Sequence, residues 1–70
     1  MTRENEPAVI IEKIIDGTSL AKVCDMLAGI CGEKASHIEE NWQDTPLANR
    51  WQRASNRLHT LSEAFRKSKL

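Results

Sequence analysis

Between Leu47 and Phe65, apolar residues return at strict four-three spacing: Leu47, Trp51, Ala54, Leu58, Leu61 and Phe65. A helix brings residues of that period onto one line, and a line this narrow is a coiled-coil-like seam. The intervening positions, among them Asn49, Gln52, Asn56, His59 and Glu63, are comfortable in water. Such a seam is of no use alone, because it needs a second apolar stripe to lie against.

That stripe is supplied upstream. Leu20, Cys24, Leu27, Cys31, Ala35, Ile38 and Trp42 recur at steps of four and three, and Val23 and Ile30 widen the band. A wide band suits a helix with two neighbours. Gly29 and Gly32 each weaken helix propensity by about 1 kcal/mol relative to alanine, yet the apolar phase crosses both without a slip. One continuous helix is expected, with a kink near Gly29 allowed.

Two breaks separate the segments. Asp16-Gly17-Thr18-Ser19 reads as a helix stop followed by a start, with Gly17 in the left-handed region and Thr18 accepting from a free amide. At Asp44-Thr45-Pro46, Asp44 or Thr45 serves as N-cap and Pro46 fits the first turn. Ahead of the first break, Val9, Ile10, Ile11, Ile14 and Ile15 favour a strand by propensity. Their pairing around Glu12-Lys13 instead describes a helix face.

The expected fold is therefore all-α: a short N-terminal helix over about 7–16, then a long antiparallel hairpin of helices over about 19–43 and 46–67. The short second break makes the two long helices neighbours. Seventy residues form one domain, and a chain this short buries only roughly 60% of its unfolded surface. Its hairpin must be covered by the first helix or by a second copy, and a dimeric helical bundle is expected.

Charge is unevenly placed. The net charge is zero, but residues 1–44 carry −5 and residues 45–70 carry +5. Arg50, Arg53 and Arg57 step along one side of the last helix, with Arg66, Lys67 and Lys69 beyond. A basic stripe can follow a phosphate backbone; pairing with Glu33, Glu39, Glu40 or Asp25 is the ordinary alternative. Trp42 and Trp51 flank the turn, as caps on the hairpin's closed end or as a partner-binding site. A line of small residues, Ala21, Asp25, Ala28, Gly32 and Ser36, would let another helix come close. Ala21, Ala28 and Gly32 are the expected self-association face.

Catalytic chemistry finds little support. Cys24 and Cys31 are ~10 Å apart along one helix, too far to pair with each other, and lack metal-ligand spacing. They read as small core residues or as a thiol contact across a dimer. Glu33, His37 and Glu40 share a face, but in an order unlike the Glu-x-x-His of diiron helices, and only Glu63 follows on the last helix. His59 with Ser55 or Ser62 has no oxyanion hole beside it. No enzyme, metal or cofactor is expected.

The stretch Ile11 to Leu27, IEKIIDGTSLAKVCDML, resembles the opening of helix-turn-helix units. Its recognition helix would have to be Glu33 to Trp42, an acidic segment ill-suited to a phosphate-lined groove. No run approaches the ~20 apolar residues of a membrane span, and MTRENEP lacks the apolar core of a signal peptide. The chain is expected to be a cytoplasmic, non-catalytic module — adaptor, inhibitor or regulator — that self-associates and binds another protein through its helix surfaces. A small DNA-binding regulator is the alternative.

Overall fold

A computed structural model describes residues 6–70. Three helices follow one another: α1 (Pro7–Gly17), α2 (Leu20–Trp42) and α3 (Thr45–Lys67). No strand occurs among the described residues. The boundaries fall within a residue or two of those the punctuation implied, and α2 runs through Gly29 and Gly32 as one helix.

The caps explain where the helices start. The Ser19 hydroxyl accepts from the Lys22 amide at 2.9 Å and opens α2. Ser19 thus takes the role expected of Thr18, whose own hydroxyl donates back to the Ile14 carbonyl at 2.6 Å. No glycine has a positive φ; Gly17 closes α1 in right-handed conformation. Asp44 accepts from the Leu47 amide at 3.1 Å and opens α3, with Pro46 in the first turn. Gln43, at φ 53°, makes the left-handed step that reverses the chain.

α2 and α3 form an antiparallel hairpin about 35 Å long at ~1.5 Å per residue. The two helices meet through small side chains. Ala21, Cys24, Ala28, Cys31 and Ala35 are buried on α2, facing buried Ala48 and Ser62 on α3. Two hydroxyls fix the register: Ser62 donates to the Ala21 carbonyl at 2.8 Å, and Ser55 to the Ala28 carbonyl at 2.7 Å. A seven-residue step along α2 is matched by a seven-residue step back along α3. One heptad further, Ala35 and Ala48 line the same shallow depression.

This packing corrects the expected core. The meeting line on α2 is displaced from Leu20, Leu27, Ile38 and Trp42 toward the small residues, and on α3 from Leu47 and Leu61 toward Ala48, Ser55 and Ser62. The physical reason is distance. Serine hydroxyls reach the opposite backbone only when the side chains between the helices are small, and leucines would hold the axes apart. Leu27, Ile30, Leu47 and Leu61 are consequently exposed. The face expected to receive a second chain, Ala21 and Ala28 with half-buried Gly32, is occupied by α3 of the same chain.

α1 touches α2 slightly and α3 not at all, and none of its residues is buried. The molecule measures 39 × 37 × 12 Å, a slab about one helix thick with α1 splayed out to the side. The helix-turn-helix resemblance ends here. Its third element would begin near Glu33, where α2 continues without interruption to Trp42.

Candidate interaction surface

A two-helix layer has two broad faces, and here the sequence gives them opposite character. On α2, to one side of the buried line, lie Leu20, Val23, Leu27, Ile30 and Ile38, with the charged Lys34 among them. On the matching side of α3 lie Leu47, Trp51, Ala54, Leu58, Leu61 and Phe65. Because the helices are antiparallel and share a register, these two sets form one continuous apolar face. Its members are half-buried or exposed, and none is buried. The thiols of Cys24 and Cys31, both free and buried, border this face along the seam.

The opposite face is polar. Asp25, Gly29, Gly32 and Ser36 of α2 lie beside Gln52, Asn56, His59 and Glu63 of α3. His59 bridges the two helices, with Nδ1 3.8 Å from Asp25 and Nε2 3.3 Å from Glu63. An open depression lined by Ser36, Glu39, Glu40, Asn49 and Gln52 lies nearer the turn. It is wide, shallow and acidic, with no convergent polar cluster that would hold a small molecule.

The residues weighed for chemistry separate in space. His37 sits on the outer side of α2, where its Nδ1 lies 3.0 Å from the Asn41 side-chain nitrogen. No group of three metal-ligating side chains gathers among the described residues. The Ser55 and Ser62 hydroxyls are both spent on backbone carbonyls of α2; neither is directed at His59. Their part is to bind the helices together.

The two tryptophans take different places. Trp51 is half-buried, with the Lys34 ammonium 5.5 Å from its ring centroid, a cation–π contact across the two helices. Trp42 is 72% exposed. It does not cap the closed end as a core residue but stands in solvent beside the turn. Arg50, Arg53 and Arg57 line the outer edge of α3, all exposed. Among the described residues the close contacts between basic and acidic side chains are those of His59 with Asp25 and Glu63, and these arginines form none with the acids of α2. At the open end of the hairpin, the Leu70 main-chain oxygen accepts from the Leu20 amide at 2.6 Å. Lys22, Arg66 and Lys69 surround that point.

No helix is long and apolar enough to cross a membrane among the described residues. Comparison with protein-family models, curated proteins and solved structures finds no match. What the chain offers is a one-layer helical hairpin with an apolar face, a polar face and a basic edge.

Proposed function

We propose that this chain is a non-catalytic interaction module that works through its helix surfaces and self-associates as a helical bundle. One observation carries the reading: every large apolar side chain of the hairpin remains half-buried or exposed, and the buried positions hold only alanine, cysteine and serine. Contiguous apolar surface on this scale marks a binding site. Its rim on α3 carries Arg50 and Arg57, and a polar rim around an apolar centre is the usual anatomy of an interface. Trp42, exposed beside the turn, and Trp51, against Lys34 farther along the face, are the aromatic side chains that would anchor another protein.

The reading is tested by Leu27→Asp and Leu61→Asp. Neither side chain is buried within the chain, so the hairpin should keep its helicity by circular dichroism. Association, read by light scattering or by capture of a partner, should weaken at least tenfold. Association of unchanged strength in both variants refutes the reading.

A second reading, a small DNA-binding regulator, is favoured by the unpaired Arg50, Arg53 and Arg57 edge. Binding of that kind depends on phosphate contacts and falls steeply with salt. It predicts a shift of labelled duplex at low salt that the triple alanine variant loses. No shift at low salt removes it.

A further inference from the structure

The geometry points to a second copy of this chain as the occupant of the apolar face, with each α3 laid against the partner's α2 and the two copies related by a two-fold axis parallel to the helices. This inference rests on the interaction-module reading and names its partner and arrangement.

Three observations select a second copy. The first is length. The face runs the whole ~35 Å of the hairpin, whereas α1, with 11 residues, spans only about 16 Å. Folded back, α1 would leave half of the face in water, but a second hairpin matches it end to end. The second is area. The chain exposes 5605 Å², against about 4400 Å² expected of a compact monomer of its mass. The excess is shared between the apolar face of the hairpin and α1, which has no buried residue, and a standard interface removes ~800 Å² from each partner. The third is thickness. A slab 12 Å deep buries only alanine, cysteine and serine, and stacking a second layer on its apolar side creates a core for the large side chains.

Charge selects the arrangement. Two hairpins can meet face to face about an axis parallel to the helices or about one crossing them. The crossing axis stacks α2 on α2 and α3 on α3. Within α3, Arg50, Arg53, Arg57, Arg66 and Lys67 stand against Glu63, a net of +4. Within α2, Lys22 and Lys34 stand against Asp25, Glu33, Glu39 and Glu40, a net of −2. Packed helices lie ~8–10 Å apart, about one Debye length at physiological salt. Stacking α3 on α3 therefore sets two +4 helices within mutual repulsion. The parallel axis alternates basic and acidic helices around the bundle and sends like helices to the screened diagonals. Neighbours are antiparallel in both cases, so helix dipoles do not decide between them.

The experiment combines solution mass with one distance. Light scattering of the unaltered chain over a concentration series should give twice the chain mass. A spin label on Gln43→Cys, exposed in the turn while the native thiols are buried, then reports the ends. With the parallel axis both turns lie at one end of the bundle, and the label pair should fall within about 20 Å, given ~10 Å between packed layers. Labels more than about 30 Å apart, the span of ~20 helical residues, overturn the arrangement. A monomeric mass overturns the second copy altogether. A monomer that takes up anilinonaphthalene sulfonate on Leu27 and Leu61, as judged by loss of uptake in L27D/L61D, would leave the interaction-module reading standing. A monomer without uptake overturns both.

Discussion

Single residues in this protein are chosen for how near they let the backbones come. Ser62 is the most buried side chain, at 1% exposure, and its hydroxyl is held by the Ala21 carbonyl. Enlarging it forces the helices apart. Ser62→Leu should lower the unfolding free energy by about 1–3 kcal/mol or more, as overpacked cores do, measurable as a fall in the urea midpoint. Neither glycine of α2 is required by a close neighbour. A Cβ at Gly29 would meet nothing within 4 Å, and one at Gly32 would stand 3.6 Å from the Ser55 hydroxyl, an ordinary contact. Gly29→Ala should therefore stabilise the chain by up to about 1 kcal/mol through helix propensity alone. A lowered thermal midpoint would show that something covers Gly29. Small residues at helical spacing were legible in the sequence, but which neighbour they admitted was not. Ala21 and Ala28 give no sign, by type alone, whether the approaching helix belongs to the same chain or another.

At the level of elements, α2 and α3 begin where short polar side chains catch free amides, whereas α1 has no side-chain cap. The sequence marked both sites within a residue. It left open the choice between Asp44 and Thr45, because either side chain can cap; the structure assigns Asp44 the bond to Leu47 and turns Thr45 toward Glu39 at 3.2 Å. Asp44→Ala should cost about 1 kcal/mol, while Thr45→Ala, which removes only an exposed side-chain bond, should cost less. Equal losses in chemical denaturation would contradict that assignment. The phase of the apolar stripes was less readable. On α3 the four-three series beginning at Leu47 and the one through Ala48, Ser55 and Ser62 lie less than a third of a turn apart. Hydrophobicity favours the first, while close approach and two hydroxyl bonds select the second. Ranking residues by apolarity therefore finds the face that seeks a partner, and misses the seam that joins α2 to α3.

For the molecule as a whole, length and composition foretold a deficit that the structure locates. A 70-residue chain has little core to spare, and this one spends its innermost positions on alanine, cysteine and serine. Its large side chains, from Ile10, Ile11 and Ile14 on α1 to Leu27 and Leu61 on the hairpin, lie outside. Stability should accordingly depend on protein concentration, since an assembly that binds only folded chains raises its own midpoint by mass action. Over a hundredfold dilution the thermal midpoint should fall by several degrees. A midpoint independent of concentration would mean that one hairpin is stable alone. The basic edge was visible in the sequence as three arginines. That they lack acidic partners depends on which way α2 presents its carboxylates, and that is a property of the fold.

The matched heptads of α2 and α3 have one more consequence. Ala21, Ala28 and Ala35 repeat along one helix as Ser62, Ser55 and Ala48 do along the other, so a slip of seven residues sets alanine opposite serine again. The seam works like a zipper whose teeth are alike, able to mesh one tooth out of place. What forbids the slip is the tight reversal at Gln43 and Asp44, which has no slack to feed into either helix. The turn thus acts as the protein's ruler, and lengthening it by a whole heptad would offer the chain two hairpins of similar fit.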